Sequence, residues 1–135
     1  MSFADWRLPI VIDHMGNVDA SKGVKQEGFQ LLCRLLAEGE LWVKLSGAYR
    51  ISKRYPNYPD ARAFHEALVK ANPEQLIWGT DWPHPRLAEE EMPDDGHLLD
   101  LFNAWTLDAA TRRRILVENP VRLFGFKHET VVRRR

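Results

Sequence analysis

The chain has 135 residues, of which 44% are hydrophobic, and this suits one domain with a buried core. Its 19 basic and 19 acidic residues give no net charge, so the composition does not indicate a nucleic acid or an acidic membrane surface as a partner. A single cysteine excludes an internal disulfide, and no apolar run has the length of a membrane span. The sequence therefore predicts a cytoplasmic protein.

Three apolar runs of strand length alternate with helical patterns. The runs begin near residues 9, 41 and 75, a spacing typical of βα units, which predicts an α/β fold with parallel strands. Between and after the runs, apolar residues recur every three or four positions, which is the helical period. The predicted strands are 9–12, 41–45 and 75–80, and the predicted helices are 25–36, 60–71, 97–105 and 108–116. Asp60 and Asp108 are the predicted N-caps of the second and fourth helices, and Asn119-Pro120 is the predicted end of the last one.

Each predicted strand ends in polar residues. Because the carboxyl ends of parallel strands meet at one edge of a sheet, these residues are expected to lie together, where α/β proteins place their chemistry. The alternative for the carboxylate after the third strand is that it only caps a turn. The three stretches are Asp13-His14-Met15-Gly16, Lys44-Leu45-Ser46-Gly47 and Gly79-Thr80-Asp81-Trp82-Pro83-His84.

Together with Glu118-Asn119-Pro120 and Leu123-Phe124-Gly125-Phe126, these motifs resemble the amidohydrolase-related family of metal-dependent TIM-barrel hydrolases. The branch of the 2-pyrone-4,6-dicarboxylate lactonases is the most similar in the second and third motifs. The resemblance implies a partial domain over residues 1–126, followed by a basic tail at 127–135. It covers only about the last three βα units of a (β/α)₈ barrel, which needs roughly 250 residues.

The resemblance also assigns site residues. His14 lies where the family places an active-site histidine on a middle strand, and Asp81 matches the aspartate that ends the last strand. The family's His-x-His pair on its first strand is absent from this sequence. A divalent metal such as Zn²⁺ is therefore expected on His14 and Asp81 only in a complete barrel, and no metal is expected if the protein follows the lactonase branch.

Hydrolysis of a lactone needs an activated water and a polarised carbonyl. Asp81 is the candidate base, and His14 either binds a metal or donates a hydrogen bond to the carbonyl. Arg50 is the candidate clamp for a substrate carboxylate. Ser46 and Tyr49 are expected to hydrogen-bond the substrate, and Trp82 to form a pocket wall. His84 either contacts the substrate or only stiffens its loop, and His65 and His97 are expected on the surface.

Three functions remain open. The first is hydrolysis of a small carboxylated cyclic ester such as a pyrone dicarboxylate. The second is metal-dependent decarboxylation, and the third is no activity, if the chain is a truncated fragment that retains the family's residues.

A further expectation is self-association or a complementing N-terminal half. Three strands leave two open edges, so the following apolar positions are expected to include some that face water in a monomer: Ile10, Ile12, Val43, Leu45, Ile77 and Thr80.

Overall fold

In a computed structural model, which describes residues 5–127, three parallel strands form one sheet. The strands are β1 (Val11–Ile12), β2 (Trp42–Leu45) and β3 (Leu76–Trp78), in the spatial order β1-β2-β3. Val43 pairs with Ile12 on one side and with Leu76 on the other. Consecutive strands are therefore neighbours, which confirms the predicted parallel arrangement, although each strand is shorter than predicted.

Helices connect and follow the strands. Phe29 of the first long helix meets Phe64 of the second edge to face, with ring centroids 4.7 Å apart. The helices are α1 (Glu27–Ala37), α2 (Ala48–Ile51), α3 (Arg62–Ala71), α4 (Asp95–Trp105), α5 (Ala109–Arg113) and α6 (Asn119–Phe124), with 3₁₀ turns at His14–Asn17, Ala20–Lys22, Pro73–Gln75 and Glu89–Glu91.

Of the two predicted N-caps, Asp108 is confirmed and Asp60 is not. Asp108 accepts a hydrogen bond from the backbone N–H of Thr111 and caps α5, as predicted. Asp60 does not cap α3, which begins at Arg62. The carboxylate of Asp60 instead accepts a hydrogen bond from the hydroxyl of Ser52 and so fixes the loop before the helix.

The predicted helix end at Asn119-Pro120 is wrong. The chain remains helical through a π turn at Arg114–Glu118 and continues as α6 to Phe124. Pro120 stands near the start of α6, directly after the π turn. Asn119 is fully buried, and its Nδ2 donates to the carbonyls of Pro73 and Leu76 at 2.8 and 2.7 Å. This side chain ties the last helix to the start of β3.

The sheet is better covered than expected. Val43, Leu45 and Ile77 are buried within the single chain, so these three are not among the positions that face water. Helices α1 and α3 pack into the same core as Val43 and Leu45. The remaining positions of that set, Ile10, Ile12 and Thr80, are partly buried.

His65 is also not on the surface. Its side chain is 3% exposed, and its Nε2 lies 2.7 Å from Oγ1 of Thr106. The ring makes edge contacts with Phe102 and Trp105, at centroid distances of 5.7 and 5.5 Å. Burial lowers the pKa of His65 to about 4, so the imidazole is neutral at neutral pH. His65 therefore belongs to the core contact between α3 and α4.

No helix within residues 5–127 is long and apolar enough to cross a membrane. Of the predicted tail at 127–135, only Lys127 falls among the described residues.

Candidate active site

The polar ends of the three strands meet at one edge of the sheet. His14 follows β1, Ser46 follows β2, and Asp81 lies three residues beyond β3. Nδ1 of His14 is 2.9 Å from Oγ of Ser46, and Nε2 of His14 is 3.8 Å from Oδ1 of Asp81. Side chains separated by more than 30 residues in sequence are thus brought into one cluster, as expected for the carboxyl ends of parallel strands.

Two residues of α2, the short helix that follows β2, hold the Asp81 carboxylate. The hydroxyl of Tyr49 and Nε of Arg50 both donate to Oδ2, the latter at 2.6 Å. Burial raises the pKa of Asp81, but these hydrogen bonds outweigh it and the pKa lies below its ordinary value. Asp81 is therefore ionised at neutral pH, with Oδ2 occupied and Oδ1 directed toward His14.

The contacts with Asp81 also raise the pKa values of Tyr49 and Arg50. Burial, together with the neighbouring Asp81, raises the pKa of Tyr49 to about 12, so the phenol remains a hydrogen-bond donor. The hydrogen bond to Asp81 raises the pKa of Arg50 above its ordinary value. The guanidinium also lies over the ring of Tyr49, with Cζ 5.4 Å from the centroid.

His14 sits in an unusual turn. His14, Met15, Gly16 and Asn17 all have positive φ, with values of 53°, 51°, 79° and 51°. Left-handed backbone costs roughly 1–2 kcal/mol per non-glycine residue, so surrounding contacts must stabilise the turn. Met15 provides such a contact, because its side chain is buried in the core.

Gly47 makes room for the His14 ring. Its φ is +64°, and a Cβ at this position would lie 2.9 Å from Nδ1 of His14 and 3.0 Å from Cδ of Arg50. A side chain at position 47 would therefore displace one of two residues that contact Asp81.

Burial lowers the pKa of His14, even though the Asp81 charge opposes this, so the imidazole is neutral at neutral pH.

His84 and Trp82 occupy different environments. His84 is buried, with its ring edge-on to Tyr49 at 5.7 Å and its Nε2 2.9 Å from Oδ1 of Asp95. Trp82 is 73% exposed, and its role as a pocket wall stays a prediction. Of the predicted site residues, His14, Ser46, Tyr49, Arg50 and Asp81 form the contacting cluster, and His84 borders it through Tyr49.

The donor set of this chain does not by itself fit a metal ion. No group of three His, Cys, Asp or Glu side chains suited to a metal exists among residues 5–127. His14 and Asp81 would supply two ligands, and the Arg50 cation already neutralises the Asp81 carboxylate. Further ligands would have to come from outside the described residues.

The model of the Amidohydrolase family matches residues 2–126, almost the whole chain. The chain belongs to this amidohydrolase family. A crystal structure of an Agrobacterium tumefaciens protein in its apo form superposes with a TM-score of 0.79 at 36% identity, over 93% of this chain and 44% of that one. This confirms the predicted fold, that of part of an amidohydrolase TIM barrel.

Two of the similar proteins are named as hydrolases of a lactone or a pyrone. The 4-sulfomuconolactone hydrolase of Rhizobium radiobacter is 46% identical over 118 residues, which are 87% of this chain and 40% of that protein. The 2-pyrone-4,6-dicarboxylate hydrolase of Comamonas testosteroni is 38% identical over 124 residues, 85% of this chain and 40% of that protein. This amidohydrolase chain thus spans less than half the length of these relatives.

Sequence reasoning missed two contributors to the site. Gly47 ends one of the motifs, and its contact with His14 depends on how the ends of two neighbouring strands meet. Asp95, whose Oδ1 lies 2.9 Å from Nε2 of His84, belongs to an acidic segment that also contains Glu89, Glu90, Glu91 and Asp94. Nothing in the order of those acidic residues distinguishes Asp95 from its neighbours.

Proposed function

We propose that this chain supplies the catalytic carboxylate and histidine of a hydrolase that opens small carboxylated lactones, such as a pyrone dicarboxylate. One observation carries the proposal: Asp81 is fixed by Tyr49 and Arg50, with its free oxygen facing His14. A capping aspartate would instead accept from the backbone N–H groups that follow it, as Asp108 does at Thr111. The names of the similar lactone hydrolases support the same reaction class.

The two carboxylate oxygens of Asp81 have different roles in the proposed reaction. Oδ1 accepts a proton as water attacks the lactone carbonyl, while Tyr49 and Arg50 hold Oδ2 in place. In the His14 tautomer with the proton on Nε2, Ser46 donates to Nδ1, and Nε2–H stabilises the developing oxyanion. The ring C–O bond then breaks, and the proton on Asp81 is transferred to the leaving oxygen, which gives a hydroxy acid.

Arg50 is the proposed binding group for a substrate carboxylate. Only Nε is used in the hydrogen bond to Asp81, which leaves the two terminal nitrogens of the guanidinium for a carboxylate. A planar guanidinium binds a carboxylate with two parallel hydrogen bonds. Arg50 would therefore place the substrate beside the base that it also orients.

We also propose that the active form contains more of the barrel, through self-association or a complementing polypeptide. Within the described residues, β1 and β3 each pair with only β2, so both edges of the sheet are open. Apolar side chains are exposed as well, which supports a covering partner. They include Leu8, Leu31, Leu107, Phe124 and Phe126.

The proposed location is the cytoplasm. Cys33 is a free thiol, partly buried on α1, and burial raises its pKa. A protonated, packed thiol is stable in a reducing compartment.

The test uses a barrel-completed fusion, in which the N-terminal portion of the Rhizobium radiobacter relative precedes this chain. The fusion is mixed with 2-pyrone-4,6-dicarboxylate, and proton release and carbon dioxide are measured together. Lactone hydrolysis releases a proton without carbon dioxide. Carbon dioxide release would favour the decarboxylase alternative, and neither product would favour the non-catalytic one.

A further inference from the structure

His84 connects the loop that carries Asp81 to the start of α4. Its side chain is 3% exposed, and its Nε2 lies 2.9 Å from Oδ1 of Asp95, the first residue of α4. Both atoms are enclosed by protein, and neither has another hydrogen-bond partner among residues 5–127. A carboxylate oxygen can only accept, so Nε2 of His84 carries the proton between them. The contact with Asp95 therefore fixes the orientation of the His84 ring.

The His84 ring in turn packs against Tyr49. The two rings meet edge to face, with their centroids 5.7 Å apart and their planes at 87°. Two side-chain torsions orient a tyrosine ring, so a neighbour that holds the ring also determines where its hydroxyl lies. The hydroxyl of Tyr49 donates to Oδ2 of Asp81. His84 is therefore separated from the Asp81 carboxylate by a single side chain.

Asp81 and His84 also belong to one tight turn. The backbone N–H of His84 donates to the carbonyl of Asp81 at 2.8 Å, and both residues have positive φ, with values of 63° and 55°. Left-handed backbone is unfavourable for residues other than glycine, so contacts elsewhere must stabilise this turn. Within the turn, residues 81–84, only His84 is buried. Its side chain therefore anchors the turn that presents Asp81.

We propose that Asp95 and His84 are positioning residues for the Asp81 carboxylate. Asp95 fixes the His84 ring, and that ring holds Tyr49 in the orientation in which it donates to Oδ2. The inference rests on the proposed function and goes beyond it, because it gives a role to an acidic residue outside the contacting cluster. It also decides between the two roles open for His84. An enclosed Nε2 that already faces a carboxylate does not bind a substrate.

Hydrolysis by the barrel-completed fusion tests the pair. Asp95→Ala removes the acceptor, so kcat for 2-pyrone-4,6-dicarboxylate should fall about 10-fold with little change in KM, since a displaced base slows the chemical step. Asp95→Asn keeps an oxygen that accepts from Nε2 and should restore most of kcat. Asp94→Ala is the matched control, because Asp94 caps the same helix by accepting from the backbone N–H of His97. This variant loosens the start of α4, and its kcat should equal that of the parent.

A double-mutant cycle shows whether the pair acts through Tyr49. In the Tyr49→Phe background the hydroxyl that holds Oδ2 is absent, so Asp95→Ala should lower kcat almost no further. If Asp95 only stabilised the fold, the two losses would multiply. Losses that multiply in this cycle, or an equal fall in kcat for Asp94→Ala and Asp95→Ala, would overturn the inference.

Nuclear magnetic resonance of the 135-residue chain gives a readout that does not depend on hydrolysis. Tyrosine isotopically labelled at Cζ reports the hydrogen bond of each phenol, and the Tyr49 signal is identified by its loss in Tyr49→Phe. This signal should shift in Asp95→Ala and return toward the parent position in Asp95→Asn. The half-exposed Tyr55 is the internal control and should not shift.

The two readouts separate this inference from the proposed function. A Tyr49 signal that Asp95→Ala leaves in place would overturn the positioning role, even if the fusion hydrolyses the lactone. A Tyr49 signal that depends on Asp95, in a protein whose fusion hydrolyses no lactone, would overturn the proposed function and leave the positioning contact standing.

Discussion

Arg50 contacts Asp81 directly, with Nε donating to Oδ2 across 2.6 Å. The residue expected to hold a substrate carboxylate thus also holds the candidate base. Both roles fit one guanidinium, since its five N–H donors lie in a fixed fork. The two roles can be separated by kinetics, because they affect different constants.

Replacing Arg50 with Lys keeps the charge and loses the fork. In the barrel-completed fusion, KM for a carboxylated lactone should rise by the equivalent of roughly 1–3 kcal/mol, with little change for its methyl ester. The loss of the Asp81 contact should lower kcat on both substrates alike. An equal rise in KM on the two substrates would show that Arg50 does not bind the carboxylate.

Gly47→Ala should destabilise the chain by about 1–3 kcal/mol. The added Cβ meets the His14 ring, and alanine is strained at a φ of +64°. Gly28→Ala is the control, because Gly28 lies within α1 with open space around it and alanine favours helix. Urea unfolding should give a lower midpoint for the first variant and an equal or higher one for the second. Equal midpoints for Gly47→Ala and the parent would contradict the close contact.

His65 should make the free energy of unfolding depend on pH. Its pKa is about 4 in the folded chain, against an ordinary value of 6.5. The unfolded chain therefore takes up a proton first, and stability should fall as the pH drops from about 6.5 toward 4. The loss should be on the order of 2–3 kcal/mol and smaller in His65→Gln, measured by denaturant unfolding at pH 7.5 and 4.5. The same pH dependence in the variant would exclude His65 as the source.

The isolated chain should not behave as a monodisperse active monomer. Exposing a few hundred Å² of apolar surface costs several kcal/mol at about 25 cal/mol per Å², which is comparable to the stability of a small domain. Light scattering should show self-association that decreases when the complementing barrel portion is supplied. A monomer of 15.7 kDa with a sharp unfolding transition and lactonase turnover would contradict this prediction.

The sequence was most informative where a local pattern determined the structure. Continuous apolar runs indicated the three parallel strands, and their polar ends indicated that His14, Ser46 and Asp81 would lie together. His65 could have been recognised as buried, because it shares the helical stripe of Ala61, Phe64 and Leu68. The close approach of Gly47 to His14 could not, since it depends on how the ends of two neighbouring strands meet.

The central claim is that Asp81 accepts the proton from the attacking water. Asp81→Asn in the barrel-completed fusion keeps the shape of the side chain and removes its basicity. Asp108→Asn is the control, because it makes the same change at a helix N-cap where asparagine is equally suitable.

The most direct measurement is kcat for the hydrolysis of 2-pyrone-4,6-dicarboxylate, monitored through the release of protons. We predict a fall of about 10²-fold or more for Asp81→Asn, with unchanged folding, and no change for Asp108→Asn. Near-normal turnover by Asp81→Asn would contradict the claim and leave Asp81 as a structural residue.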